Sequence, residues 1–331
     1  MRAAYYETPG PPEVLRVGEL PTPEPKPGEI RVKVLAASIN PIDIYIRSGA
    51  VAMPRPMPTI PGCDFAGVVD AVGPGLTRFA VGDRVWGSNQ GLLGRQGTLA
   101  EFACVEEQWA YPLPPGVGER VAAATALVGM TAYIGLFGRA MLKRDETVFV
   151  NGGTGGVGSM VVQMAKAVGA RAIATVGSAA KADQARRLGA DVAVNYKTED
   201  VSAAVKAATD GRGVDVWYET VPPADLDRTV ELMAMNGRIV VMAGRAARPV
   251  LPNGPFYVKG LSLLGFAMFN VPALLQAQYA DAIGRWMAAG VLKPMIGAEF
   301  PLAESVAAHR LQEENSLGRA GTLSGKIVVV P

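Results

Sequence analysis

The stretch NGGTGGVGSMVVQMAKAVGARAIATVGSAAK, residues 151–181, decides how the rest of the chain is read. A short apolar run, ETVFV, precedes it. Its first residues are rich in glycine, VGSMVVQMAKAVGA then carries apolar residues at helical spacing, and RAIATVG reads as a second strand. Gly153, Gly155 and Gly158 match G-x-G-x-x-G between a predicted strand and a predicted helix, the setting that makes this pattern specific. There the first glycine permits a tight turn, the second lets backbone approach a pyrophosphate, and the third allows close helix–strand packing. The helix N-terminus adds N–H groups and positive potential. Gly153, Thr154, Gly155, Gly156, Val157 and Gly158 are therefore candidate cofactor contacts.

The residues after this turn narrow the cofactor. An NAD-binding unit places Asp or Glu about 20 residues on, against the adenosine ribose hydroxyls. Here the second predicted strand ends ATVGSAAK, offering Gly177, Ser178 and Lys181 instead. A hydroxyl and an ammonium suit a 2′-phosphate, which a carboxylate would repel. Tyr196, after the third predicted strand in VNYK, is placed to close over the same phosphate or the adenine. The expected cofactor is NADPH; the alternative for Lys181 is an ordinary solvated helix lysine.

Downstream, AKADQARRLGA, DVAVNY, SAAVKAATDGRG, VDVWYET, DLDRTVELMAMNG and RIVVMAG alternate helix and strand patterns, the mark of parallel βαβ units. After Gly265 the pattern is irregular, and LSGKIVVVP closes as a strand expected to rejoin the first domain. Upstream, GEIRVKVLAASIN, DFAGVVDAVG and VGDRVWG read as short strands between Pro/Gly turns, an antiparallel barrel-like or sandwich-like unit. The predicted class is α/β, with domains at 1–124 and 125–265 and a C-terminal return over 266–331.

Composition excludes several classes. A chain of 331 residues exceeds one hydrophobic core, and 49% apolar with 19% charged residues favours packed domains over disorder. A net charge of +2, with no basic cluster longer than a pair, predicts no nucleic-acid face. Two cysteines, Cys63 and Cys104, build no disulfide framework, and MRAAYYETPG lacks a signal-peptide core. Residues 121–138 and 260–280 are long and uncharged, but their polar atoms and breakers suit a buried core better than a membrane. The expectation is a cytoplasmic protein without membrane or nucleic-acid partners.

The segments INPIDIYIRSG, IPGCDFAGVVDAVG, VGDRVWG, GTLAEFACV, GMTAY, GGTGGVG and GKIVV occur in the order seen in medium-chain dehydrogenases/reductases. The chain most resembles their zinc-free quinone oxidoreductase (zeta-crystallin-like) branch, over nearly its full length. The resemblance implies a Rossmann-type doubly wound parallel sheet plus a discontinuous GroES-like β-barrel domain. It puts Asn40 and Tyr45 beside nicotinamide and acceptor: Asn40 as a donor to an acceptor oxygen or ribose hydroxyl, Tyr45 to orient the acceptor or relay a proton. A packing tyrosine is the alternative for Tyr45. Asp43 and Arg47 are expected to form an internal pair. Thr131 in GMTAY resembles the family threonine at the cofactor cleft. Ala243, Gly244 and Arg245 in VMAGR, and Phe266 and Met268 in LLGFAMF, are expected at strand ends holding nicotinamide ribose and carboxamide. In WYETVPPADL two prolines stand where relatives often have glycine or asparagine.

Zinc-dependent relatives carry Cys where this chain has Asn40, His where it has Cys63, and Cys near Leu127. A catalytic zinc needs three Cys, His or carboxylate ligands. No cysteine lies between Trp86 and Phe102 for a structural zinc loop, and His309, the only histidine, is expected to be a solvated helix residue. No zinc site is expected. Without a Lewis acid, acceptors that delocalise their own charge are favoured: quinones, or C=C bonds conjugated to a carbonyl. The leading expectation is an NADPH-dependent quinone reductase. An enoyl, 2-alkenal or acrylate-type C=C reductase and a weakly catalytic NADPH-binding protein are the alternatives. AVAMPRPMPTI and FAMFNVPALLQAQY suggest an apolar acceptor, though core packing accounts for them equally. The family usually pairs cofactor domains edge to edge, which makes GLSLLGF the edge strand of a homodimer.

Overall fold

A computed structural model describes residues 1–318 and 320–331. Two compact units emerge, Met1–Leu127 with Pro272–Pro331, and Val128–Val271. The first of them is discontinuous, and the units meet at 127/128 and 271/272, where the sequence reading puts 124/125 and 265/266. The first boundary falls inside a helix, where no shift in composition marks it.

The first unit opens with β1 (Arg2–Tyr5) and β2 (Arg16–Glu19), an antiparallel ribbon. Its spine is β3 (Glu29–Ile39), where alternating burial gives way to four fully buried residues at the end. From β3 the chain enters α1 (Pro41–Arg47), with Pro41 in the first turn, where a missing N–H breaks no helical bond. β4 (Asp64–Val72) runs antiparallel to β3, β5 (Arg84–Gly87) to β4, β6 (Phe102–Glu106) back to β3, and β7 (Ala110–Pro112) to β5. α2 (Glu119–Tyr133) leads out of this unit.

The second unit alternates without a break: β8 (Thr147–Asn151), α3 (Gly156–Ala167), β9 (Arg171–Val176), α4 (Ala179–Arg187), β10 (Val192–Asn195), α5 (Val201–Ala208), β11 (Val214–Glu219), α6 (Leu226–Leu232), β12 (Met233–Val241), α7 (Asn253–Val258) and β13 (Ser262–Gly265). All its strands are parallel, in the order β10-β9-β8-β11-β12-β13. Counted from β8 this is 3-2-1-4-5-6, the doubly wound order whose direction reverses between β8 and β11. Phe149 and Trp217 stack there with ring centroids 3.8 Å apart, amid buried Ile173, Val205, Val230 and Ile239.

The chain then returns to the first unit through α8 (Ala273–Ala288), β14 (Ile296–Pro301), α9 (Ser305–Ser316) and β15 (Lys326–Val330). β15 lies antiparallel to β3, with Val328 opposite Ser38, and parallel to β14. Ile327 and Val329 thereby complete a core with Ile30, Val32, Phe65 and Val85.

β12 ends at Val241, so Ala243, Gly244 and Arg245 come after the strand, in a turn where the Ala247 N–H donates to Gly244 O (2.8 Å). β13 ends at Gly265, and Met268 opens a short 3-10 turn. Among the described residues one helical stretch, Glu119–Arg139, is long and apolar enough to cross a membrane. Some 72% of its most apolar part is buried, as in a core helix.

Candidate active site

After Asn151 the chain turns through Gly152 (φ +84°) toward α3. A Cβ on Gly158 would lie 2.1 Å from the Gly152 carbonyl oxygen, and one on Gly153 2.5 Å from Ala174 Cβ. Gly158 lets the first turn of α3 lie against Gly152, and Gly153 lets the turn lie against β9. Gly155 differs: its Cβ would meet only Gly152 O, at an ordinary 3.4 Å. The protein's own packing does not require a glycine there, and the space beside it is open to a ligand. The N–H groups of Gly152, Gly153 and Gly155 are spent internally, on Thr175 Oγ1 (3.0 Å), Thr175 O (2.9 Å) and Gly152 O (3.1 Å). The helix ladder starts with the Ser159 N–H donating to Gly155 O (2.9 Å). Gly156, Val157 and Gly158 therefore carry first-turn donors, and Gly155 at the N-cap has no side chain to satisfy them. Those three amides suit an anionic pyrophosphate.

One strand over, β9 ends at a second polar cluster. A Cβ on Gly177 would come within 2.8 Å of the Tyr196 hydroxyl, so this glycine lets the phenol lie against the strand end. Ser178 is the N-cap of α4, its Oγ accepting from the Lys181 N–H (3.3 Å) and its own proton left to donate. Partial burial lowers the Lys181 pKa, and Lys197 lowers it further. Lys197 lies outside the expected set, though it comes directly after Tyr196 in VNYK. The Lys197 charge that disfavours the Lys181 ammonium gathers positive potential beside Ser178 and Tyr196, and a phosphate there would relieve that repulsion.

Ala243, Gly244, Arg245, Phe266 and Met268 lie beyond the same end of the parallel sheet. Ala243 and Arg245 come after β12 and are not buried, while Phe266 is half-buried and Met268 buried after β13. A Cβ on Gly244 would lie 2.9 Å from Pro222 Cβ, so the diproline loop after β11 rests against the turn after β12. Thr131 is buried in α2, its carbonyl accepting from the Tyr218 hydroxyl (2.8 Å).

In the first unit the residues around Asn40 form a closed polar core. Asp64, fully buried at the start of β4, accepts from Ser38 Oγ (2.8 Å) and Asn40 Nδ2 (2.8 Å) on one oxygen. Its other oxygen accepts from Ser88 Oγ (2.7 Å) and the Leu127 N–H (3.0 Å). Lys326, reaching in from β15, donates to Ile39 O (2.6 Å) and to Asn40 Oδ1, with its ammonium 3.9 Å from Asp64. Burial lowers the Lys326 pKa and raises that of Asp64, and each charge opposes the other's shift. Asn40 is thus occupied at both ends of its amide and fully buried. It fixes the start of α1, and its Nδ2, expected to donate to an acceptor oxygen or ribose hydroxyl, here donates to Asp64 and to Ser38 O (3.4 Å). Tyr45, half-buried on α1, sits two residues beyond Asp43.

The expected Asp43–Arg47 pair does not form. Asp43 turns back to cap its own helix, accepting from the Asn40 N–H (2.8 Å) and from Cys63 Sγ (2.9 Å). Burial raises its pKa to about 7. Arg47 instead donates to Glu313 on α9 and to Gly10 O (2.7 Å). His309 is not solvated: with Ser305, Ala308 and Gln312 it forms the buried stripe of α9. Burial and then Arg47 push its pKa down to about 3, so the imidazole is neutral.

Zinc does not fit the positions that hold it in zinc-dependent relatives. Asn40 Oδ1 is bound to an ammonium. The Cys63 thiol donates to Asp43 and burial raises its pKa well above the usual range, whereas a zinc ligand must be a thiolate. Leu127 contributes only its backbone N–H. Among the described residues no group of three His, Cys, Asp or Glu is placed to hold a metal ion.

Residues 26–115 match the family described as alcohol dehydrogenase GroES-like domain, and residues 156–288 the family described as zinc-binding dehydrogenase. The latter stretch contains none of Asn40, Cys63 and Leu127. The chain is similar to the human quinone oxidoreductase, at 31% identity over 100% of this chain and 98% of that one. Among solved structures it is similar to the Escherichia coli quinone oxidoreductase complexed with NADPH, at 30% identity and a TM-score of 0.87 over 100% of this chain and 100% of that one. It is also similar to an NAD-dependent alcohol dehydrogenase, at 33% identity and a TM-score of 0.89 over 100% of both chains.

Proposed function

The chain belongs to the quinone oxidoreductase branch of the medium-chain dehydrogenase/reductase superfamily, and from that membership we propose that it reduces quinones with NADPH and without zinc. The observation that carries the cofactor choice is the Ser178–Lys181–Lys197–Tyr196 cluster one strand from the glycine turn. In this reading the amides of Gly156, Val157 and Gly158 bind the pyrophosphate. Lys181, Lys197 and the Ser178 hydroxyl bind the 2′-phosphate. Bound NADPH supplies a hydride from its reduced nicotinamide ring. The quinone takes up that hydride and a proton and becomes an aromatic hydroquinone, spreading the charge over its own ring. No Lewis acid is needed, and the buried Lys326 ammonium holds the polar core together where relatives hold a metal. Tyr45 is the side chain we assign to orient the acceptor or pass it a proton.

Steady-state oxidation of NADPH with a benzoquinone and with a small enone, each with and without a chelator, tests this reading. Quinone turnover is expected to exceed enone turnover by ~10-fold, equivalent to about 1.4 kcal/mol in activation free energy, with no effect of chelation. Turnover of the enone alone, chelator-sensitive activity restored by zinc, or tight NADPH binding without turnover would each overturn it.

The exposed edge strand β13 supports a homodimer joined through that edge. It ends the six-stranded sheet, and Leu263 on it is 40% exposed. Light scattering is expected to give twice the 34.6 kDa chain mass; a single-chain mass contradicts the dimer.

A further inference from the structure

Ligands of open α/β sheets sit at the carboxyl ends of the strands where winding reverses. In this protein that point lies between β8 and β11, whose last residues, Asn151 and Glu219, stand opposite each other in register. A carboxylate is an unexpected group beside a pyrophosphate site, and Glu219 is only 2% exposed, so it is no solvated surface acid. Its Oε1 accepts from Asn151 Nδ2 (2.8 Å) and from the Val221 N–H (2.9 Å), and its Oε2 from Trp217 Nε1 (3.2 Å). Burial pushes its pKa up, and these three donors pull against that.

The bonds continue away from the carboxylate. Asn151 Oδ1 accepts from the Thr175 hydroxyl (2.6 Å), and Thr175 Oγ1 accepts from the Gly152 N–H (3.0 Å). The Thr220 hydroxyl secures the same strand end by donating to Asn151 O. Every donor from Gly152 onward points toward Glu219, so one buried charge polarises the whole series in a single direction. The far end of the series is Gly152, whose positive φ turns the chain into the glycine motif. Gly152 is also the residue whose carbonyl crowds Gly158, which sets how closely α3 can approach.

We propose that Glu219 is a positioning residue for the cofactor: through Asn151 and Thr175 it fixes Gly152, and so aims the amides of Gly156, Val157 and Gly158 at the pyrophosphate. The inference rests on the NADPH reading above and adds to it. Because NADPH and NADH share the pyrophosphate, disturbing this series weakens both equally, whereas disturbing Lys181 discriminates between them.

The test is calorimetric titration of the full chain with NADPH and with NADH, for the wild type and for Glu219→Ala, Glu219→Gln and Thr175→Val, together with kcat at saturating NADPH. Glu219→Gln keeps one carbonyl acceptor but turns an amide NH2 toward Trp217 Nε1–H, donor against donor, so it is the milder change. Thr175→Val removes the hydroxyl linking Gly152 to Asn151 while leaving all three bonds of Glu219, and it decides the matter if Glu219→Ala does not fold. Both Glu219→Ala and Thr175→Val are expected to raise Kd for the two dinucleotides by at least about tenfold, with kcat within about twofold of wild type and Glu219→Gln intermediate. Unchanged Kd in a folded Thr175→Val protein, a loss confined to NADPH, or a fall in kcat with Kd intact overturns this inference alone. A wild type that binds neither dinucleotide overturns both the inference and the cofactor reading beneath it.

Discussion

Replacing Lys326 with methionine is expected to destabilise the first unit by about 3–5 kcal/mol, the usual consequence of removing one partner from a buried ion pair. Lys326 and Asp64 are both buried, and the ammonium also satisfies Ile39 O and Asn40 Oδ1. Methionine keeps the length of the side chain and loses the charge. Two acceptors are then stranded, and Asp64 keeps its four neutral donors but no counter-ion. Adding Asp64→Asn to the Lys326→Met protein removes the leftover charge. The double variant should therefore lose less than the sum of the singles, by about 1 kcal/mol or more. Urea unfolding observed by tryptophan emission reads this directly, since Trp86, Trp109 and Trp286 lie in the first unit and Trp217 in the second. A Lys326→Met protein as stable as the wild type, or strictly additive losses, would show that the ammonium does not hold this core together.

The second large effect concerns the cofactor. Lys181→Glu is expected to raise Kd for NADPH roughly 100-fold while leaving NADH within about threefold, because a charge-assisted bond to phosphate is lost and a repulsion replaces it. Lys197 remains in that variant, so some attraction for the phosphate persists. Ser178 still caps α4, which keeps the helix start intact. Equal losses for the two dinucleotides would remove Lys181 from the phosphate site.

The second unit is largely legible in the sequence because its signals are local. Glycines at fixed spacing between an apolar run and a helical pattern specify one kind of turn, and Gly153 and Gly158 are held there by the close approaches the motif implies. Ser178 in place of a carboxylate is readable for the same reason. Long-range relations are not. Asn40 reads as a donor facing substrate because its partners, Asp64 and Lys326, lie 24 and 286 residues away. His309 reads as a surface residue of an amphipathic helix and Arg47 as the partner of Asp43, yet both are fully buried, on α9 and α1 respectively, against groups far away in the chain.

Glu219 carries the faintest signal of all. One acid closing the apolar strand VDVWYE breaks the pattern, as Lys326 does at the head of KIVVV. A charge interrupting a buried strand marks a place where something must satisfy it, but only the register of neighbouring strands says what. The two prolines shortly after Glu219 give no local sign of what their loop touches, and Pro222 proves to lie against Gly244.

Calorimetric titration of the unaltered protein with NADPH and with NADH probes the central claim most directly. One NADPH per chain, bound at least about tenfold more tightly than NADH, is the predicted result. Equal affinity for the two, or heat from neither, would contradict it.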